Sequence, residues 1–439
     1  MKEQPEKTIH ELTGTVVISL VAGTSGAAVV AVFMKTLYYL SDRITGTAYL
    51  PGFLIPLIGA SLTGLLILRF FPGAGGDGTN SYIQAVNKQD GRLRGIDTVM
   101  KIPATLITLG FYGSGGIVGT LSRVGAGLSS AVCTRCIPMF RIRHQRTFRI
   151  AAVCGVSAVV STIFYSPLGG ALFASEITRK NSIIYTDLFP AILTGCVAVY
   201  ASSFFGQEPV FAVTAPPFTN RIDTILLSIL SAVISGGVGI LFIASFNRAG
   251  KLFGAVPFKQ PVQAILSGII LSLFWAAGAV DILGTSLPLF SSFASWNTEA
   301  LNSIQFYSGN IFLFAGLFLI LKMAATSITV GSGLSGGVTG PLIIMGTCSA
   351  SMFCAVAGVA GGSIAYYAVL CACISAILSS ALNIPIAATL IAVAIFDHSY
   401  IIPAVVGSVF PFFIYKGQTV FIYSEAEEQG TILNQREEL

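Results

Sequence analysis

Two glycine-rich segments interrupt apolar stretches of the chain, and both have the composition of a backbone anion site. Residues 331–341 have the sequence GSGLSGGVTGP and lie within a run of 74 residues, 323–396, without Asp, Glu, Lys, Arg or His. A helix that begins near Pro341 would point its first N–H groups, and about half a positive charge, into this break. The pattern predicts that Gly337, Val338, Thr339 and Gly340 bind an anion without a charged side chain.

The other segment, residues 71–80, carries an acid, Asp77, followed by Gly78 and Thr79. Three interpretations stay open: burial keeps the carboxyl protonated, the carboxylate caps a helix N-terminus, or it faces a pathway and binds a positive group of a solute. An acidic residue inside a membrane segment is a functional candidate, because its insertion at mid-helix costs about 3 kcal/mol. We expect a charged Asp77 that competes with a small anion for a helix end.

The composition indicates a polytopic protein of the lipid bilayer. Apolar residues make up 54% of the 439, charged residues make up 10%, and the mean hydropathy is +0.81. An average soluble protein is about 25% charged. Several charge-free runs reach the roughly 20 residues that one crossing needs. The net charge of +5 is therefore interpreted as an orientation signal, and nucleic acid is not an expected partner.

Paired interruptions predict an internal repeat. Residues 113–116 (GSGG) have a counterpart in residues 331–333 (GSG), residues 122–126 have one in 337–341, and Pro167 has one in Pro385. We expect a membrane domain over 13–424 with repeats at about 13–205 and 222–424, flanked by tails at 1–12 and 425–439. Four arginines within residues 141–149 favour a cytoplasmic loop in the cell membrane, with both termini on that side.

Enzyme, metal and cofactor chemistry have little support. Cys133 and Cys136 have the spacing of half a zinc site, but no second half follows, so no metal and no cofactor are predicted. Residues 333–336 fit the G-x-S-G pattern of intramembrane serine proteases, with Ser335 as nucleophile and His398 as base. This interpretation leaves the repeat unexplained, and we expect no enzyme.

The order of the breaks resembles the CLC family of chloride channels and chloride/proton antiporters. Residues 75–80 resemble the family's G-S-G-I-P, residues 122–126 (SRVGA) resemble G-R/K-E-G-P, and residues 337–341 resemble G-x-F-x-P. Tyr423 falls where the family has its pore tyrosine. The resemblance covers about 13–424 and implies an all-α inverted repeat of tilted and broken helices. It also implies a homodimer with one chloride or small-anion pathway per subunit.

Departures from the family pattern shape the expected function. The family's gating glutamate falls on Val124, next to Gly125, and valine cannot carry a proton. The inner proton-relay position falls on Ile177, with Glu176 as its acidic neighbour. The pore serine becomes Asp77 and the pore phenylalanine becomes Thr339. The resemblance therefore implies anion transport that is uncoupled from protons. A carrier for a larger organic anion or a zwitterionic solute, with Asp77 as partner for an ammonium, is the alternative.

Overall fold

Broken helices of two similar series form almost the whole protein. The computed structural model describes residues 3–45, 51–140, 147–179, 183–257, 259–296, 301, 304, 309–415 and 417–421. Within these residues there are sixteen α-helices and no strand, only one isolated bridge between Gly116 and Gly337. Tyr423, most of the arginine-rich loop and the C-terminal tail lie outside the described residues, so the predictions made for them are not tested.

The first eight helices fill the N-terminal half. They are α1 (Glu3–Thr45), α2 (Ile55–Leu62, continued by a π-helix at Thr63–Leu68), α3 (Thr79–Lys88), α4 (Gly95–Gly110), α5 (Val118–Phe140), α6 (Thr147–Phe164), α7 (Pro167–Glu176) and α8 (Tyr185–Phe204).

The other eight follow in the same order of long and short elements. They are α9 (Ile222–Ala255), α10 (Gln260–Ala276), α11 (Leu287–Ala294), α12 (Ile311–Gly331), α13 (Thr339–Ala357), α14 (Ile364–Leu382), α15 (Pro385–Phe396) and α16 (Ile401–Ile414).

The two series also pack alike. In the first, α6 contacts α1, α5, α7 and α8, and in the second, α14 contacts α9, α13, α15 and α16. Both central helices are 89% buried, although their composition is that of membrane spans. Seven described helices are long and apolar enough to cross a bilayer. The all-α polytopic fold is thus confirmed, whereas the domain boundaries at 12, 205, 222 and 424 stay predictions.

Prolines and small polar caps mark where the short helices begin. Pro167 opens α7 and Pro385 opens α15, since a first-turn proline gives up an N–H that would have no helical partner. Ser166 caps α7 by accepting from the Gly169 N–H at 3.2 Å. The N-termini of both helices lie inside the protein, where their backbone N–H groups need hydrogen-bond partners from the chain itself.

Candidate anion site

The glycine-rich breaks of the two halves meet and pair through their backbones. Gly116 and Gly337 exchange two N–H···O bonds of 2.6 Å each. The Gly76 N–H donates to the Gly333 carbonyl at 3.1 Å, and the Gly115 N–H donates to the Gly284 carbonyl at 3.1 Å. Glycine is needed at Gly337, because a Cβ there would lie 2.8 Å from the Gly119 nitrogen. The backbone N–H and C=O groups of each break thus find hydrogen-bond partners in the break of the other half.

Three helix N-termini converge on the carboxylate of Asp77. Its Oδ1 accepts the Thr79 N–H of α3 at 2.9 Å, and its Oδ2 accepts the Val338 N–H, just before α13, at 2.8 Å. A Cβ built on Gly119, in the first turn of α5, would lie 2.5 Å from Oδ2. Asp77 itself is 5% exposed. Gly78 has a positive φ of +85°, and this backbone turn directs the Asp77 side chain toward the N-terminus of α3.

These bonds agree with the capping interpretation of Asp77 and extend it. The carboxylate caps its own helix and also fills the positive end of a helix 261 residues away. Both oxygens accept backbone N–H groups, which is how a free anion would be held at the same place. The side chain therefore occupies the position that the sequence predicted for a bound anion.

A buried lysine stands beside this site. The Lys101 ammonium, in α4, is fully buried and donates to the carbonyls of Gly75 and Gly76 at 3.0 and 2.5 Å. These carbonyls belong to the loop that carries Asp77. The lysine therefore fixes that loop and places a positive charge near the carboxylate, which offsets part of the cost of burying both.

Arg123 extends the charged cluster along α5. It is 5% exposed, its Nη1 donates to Ser81 at 2.7 Å, and its Nη2 lies 3.8 Å from the carboxylate of Asp97. Sequence reasoning missed both cations. The signal was present, because Lys101 and Arg123 are single charges that border long apolar runs.

Two other predicted residues lie later in α5. Val124 is the seventh residue of α5 and is fully buried, and the residue whose Cβ would meet Asp77 is Gly119. Gly125 lies against α6, where a Cβ would be 2.3 Å from the Gly155 carbonyl oxygen. That Val124 occupies a gating position stays a prediction.

The α13 end contributes a buried hydroxyl and a close backbone contact. Thr339 is the first residue of α13, and its hydroxyl has no hydrogen-bond partner among the described residues. A Cβ on Gly340 would lie 3.2 Å from the Gly116 Cα. These residues place small groups at the start of α13, and the Thr339 hydroxyl is able to donate to an anion.

Glu176 serves as a second carboxylate cap. It is 8% exposed, and its oxygens accept the N–H groups of Ile386 and Ala387, at the start of α15, at 3.2 and 2.9 Å. Ile177 follows it as the C-cap residue of α7 and is 3% exposed. The acid neighbouring the predicted relay position therefore holds two halves of the chain together.

The structure does not support the serine protease alternative, which needs a contact between Ser335 and His398. Ser335 is buried and shares a hydrogen bond of 2.7 Å with the Thr105 hydroxyl. The His398 side chain is 93% exposed and pairs with Asp397 at 3.0 Å. Backbone N–H donation from Ser399 holds the pKa of Asp397 below its usual range. The structure thus does not bring the serine and the histidine into the hydrogen bond of a catalytic pair.

Fold and site together define a class: multi-pass membrane proteins whose broken helices from two halves aim their N-termini at one buried point. The family model "Voltage gated chloride channel" matches residues 58–415. The chain therefore belongs to the CLC chloride channel family, and this membership supports anion transport. Members named below are channels or antiporters rather than enzymes.

Individual relatives agree. The voltage-gated ClC-type chloride channel ClcB of Escherichia coli O9:H4 (strain HS) is 25% identical over 67% of this chain and 66% of its own length. The crystal structure of a CLC-type fluoride/proton antiporter superposes with a TM-score of 0.79 at 20% identity, covering 94% of this chain and 98% of that one. A slow cyanobacterial Cl⁻/H⁺ antiporter gives 0.75 at 19%, covering 96% and 98%. The structural likenesses show the fold.

Proposed function

We propose that this protein moves chloride or another small anion across the cell membrane without coupling to protons. The observation that carries the proposal is the convergence of the α3, α5 and α13 ends on the buried Asp77 carboxylate. Backbone dipoles that hold a carboxylate in this way can hold a halide that replaces it.

Our proposal of uncoupled transport rests on the two positions where the family's antiporters have glutamates. The sequence of α5, residues 118–140, contains no Asp or Glu, so no carboxylate can swing from that helix into the site. Glu176 uses both oxygens to cap α15, and its neighbour Ile177 has no titratable group. A proton that moved with the anion would need a carrier that these positions do not offer.

Asp77 sets how the anion binds. An ion that reaches the α13 end must displace the carboxylate from the Val338 N–H or share the site with it. Such an anion is held loosely, which favours passage over tight binding. We infer that Asp77 acts as a tethered substitute for the transported ion.

Proteoliposomes test the proposal. With an outward chloride gradient and a pH-sensitive dye inside, chloride efflux should proceed without uphill proton movement. Radiolabelled chloride uptake should depend on the protein and continue when the pH gradient is collapsed. Proton transport that the chloride gradient drives, and that protein-free liposomes lack, would overturn the uncoupled pathway. Absence of any chloride flux would overturn the anion function.

Further features follow from family membership and charge distribution. We propose that both termini and the arginine-rich loop at 141–149 are cytoplasmic, since positive loops stay on that side. We also propose a homodimer with one pathway per subunit. Light scattering of the purified protein, corrected for detergent, should give twice the chain mass, and a monomer mass would contradict it.

A carrier for an organic anion or a zwitterion receives less support. Such a solute would need Asp77 to face its ammonium group, whereas both carboxylate oxygens are engaged by backbone N–H groups. Uptake of labelled amino acids into the same liposomes would test it, and uptake above the protein-free background would favour the carrier.

A further inference from the structure

The second half contains a buried lysine that matches Lys101. Lys322, in α12, is fully buried, and its Nζ donates to the carbonyls of Ile282 and Gly284 at 2.9 and 3.2 Å. It also contacts the Ser286 Oγ at 2.8 Å. Each lysine thus binds the carbonyls of the loop that precedes the third helix of its own series.

The surroundings of Lys322 offer the hydrogen-bond acceptors that an ammonium needs. The Ser286 hydroxyl donates to the Leu283 carbonyl at 3.4 Å, so it accepts from Lys322. Three acceptors around one Nζ match the three N–H groups of an ammonium. All three donors are used, so the charge acts on its surroundings through space and not as a direct ligand.

The two lysines differ in their counter-charge. Lys101 lies behind the loop that presents Asp77, whereas Lys322 lies behind a loop whose matching residue is Thr285, since Gly284-Thr285-Ser286 corresponds to Gly76-Asp77-Gly78. Among the described residues no ion pair is found for Lys322. A buried cation without an ion-pair partner leaves a positive potential on the other side of the thin loop.

A cleft of about 230 Å³ opens on that other side. The loop forms one wall, with Gly284, Thr285 and Ser286, and the end of α1 forms another. Gly284 also accepts the Gly115 N–H at 3.1 Å, next to the Gly116–Gly337 bridge. The cleft therefore borders the paired breaks directly. The remaining lining residues include Leu37, Tyr38, Ser41, Leu109 and Tyr112.

We propose that this cleft recruits small monovalent anions to the pathway, with the half-buried Thr285 hydroxyl as a donor and the Lys322 charge as the source of attraction. The cleft's role as an entrance depends on the proposed anion pathway, but anion binding in it does not. In the first half the negative charge near Lys101 is the Asp77 carboxylate, and in the second half a mobile halide would supply the negative charge near Lys322.

Asp281 is the opposing group. It is exposed at the edge of the cleft, where its carboxylate repels anions and would attract a cation. Although the residue is exposed, partial desolvation of its carboxyl raises its pKa above the usual range, which weakens this repulsion as the pH falls. The cleft is an anion site only if Lys322 outweighs Asp281, and substitution of each group separates the two outcomes.

Bromide gives a direct readout. In crystals grown in sodium bromide, the anomalous difference map of the parent protein should show a peak in the cleft beside Thr285. The peak should disappear in Thr285→Asp, which restores to this half the carboxylate of the first half, and should persist in Thr285→Asn, its neutral match. Lys322→Met should also abolish the peak. A cleft without a bromide peak in the parent overturns the proposal, whether or not the protein transports chloride.

Chloride exchange, measured in liposomes, tests whether binding in the cleft affects transport. At chloride concentrations below saturation, Thr285→Asp should lower chloride exchange about ten-fold, as one added charge at short range would, and Thr285→Asn should change it little. Asp281→Asn should raise the exchange. Because Thr285 is only half-buried and lies on a loop, the aspartate of Thr285→Asp keeps contact with solvent. Equal rates for Thr285→Asp and Thr285→Asn, or slower exchange in Asp281→Asn, would contradict the recruitment of anions.

Discussion

Replacing Asp77 by asparagine should turn a site that the protein fills with its own carboxylate into one that is open to chloride. Asparagine keeps the shape of the side chain but removes its charge, and its amide can donate to an anion where the carboxylate only accepts. The Val338 N–H, now held at 2.8 Å by Oδ2, would be free to bind chloride. Asp77→Ser should act in the same direction, with a smaller hydroxyl donor.

The magnitude can be worked out from two limits. If the carboxylate stays on α3 while chloride binds at α13, the charges lie about 5 Å apart, and at an effective dielectric constant of 20 they repel by about 3 kcal/mol. If the carboxylate moves away instead, it loses a charge-assisted hydrogen bond of about 1.5–3 kcal/mol. Both limits predict that removing the charge tightens chloride binding by roughly 2–3 kcal/mol, or about 100-fold.

Isothermal titration with chloride at neutral pH measures this change. Asp187→Asn is the matched control, because Asp187 is equally buried but pairs with Arg149 at 2.7 Å instead of capping these helix ends. The control should keep the parent's chloride affinity, as measured on the fraction that stays folded in size-exclusion chromatography. If Asp77→Asn and Asp77→Ser bind chloride no better than the parent, the carboxylate does not compete with the anion, and its role is to hold α3 and α13 together.

Two further predictions concern the helix end and the topology. Gly119→Ala should weaken chloride binding and lower the melting temperature, because its Cβ would lie 2.5 Å from Asp77 Oδ2, at the place proposed for the anion; Gly95→Ala, with nothing within 4 Å, is the control, and equal shifts in both variants would argue against this contact. Arg143→Cys in a cysteine-free background should react with an impermeant thiol reagent only from the cytoplasmic side, and reaction from outside the cell would reverse the proposed topology.

The overall fold could be predicted from the sequence, because the lipid bilayer imposes strong constraints on composition. Charge-free runs predicted helices, and glycine-rich interruptions predicted where they break. The start of α5 was not predicted. The helix begins at Val118, and the motif at residues 122–126 lies in its second turn. An apolar, glycine-rich entrance to a helix carries no polar cap residue to mark the first turn.

The charged cluster and the second cap of Asp77 could not be predicted from local patterns. A lysine at the edge of an apolar run is typical of a membrane interface, but Lys101 and Lys322 are solvated by loop carbonyls deep inside the protein. The bond from the Val338 N–H to Asp77 joins residues 261 positions apart. Whether an acid caps one helix or two depends on tertiary contacts that one sequence without relatives does not reveal.

The backbone bridge between Gly116 and Gly337 limits how the molecule can move. Many transporters work by rocking one half against the other, so that the central site opens to each side in turn. Here such a motion would have to break two N–H···O bonds of 2.6 Å between buried glycines at the point where the halves meet. Glycine backbone at both partners leaves no long side chain to stretch across a widening gap. The proposed anion movement would therefore take place through small local displacements around a fixed centre, with the two halves joined by this bridge.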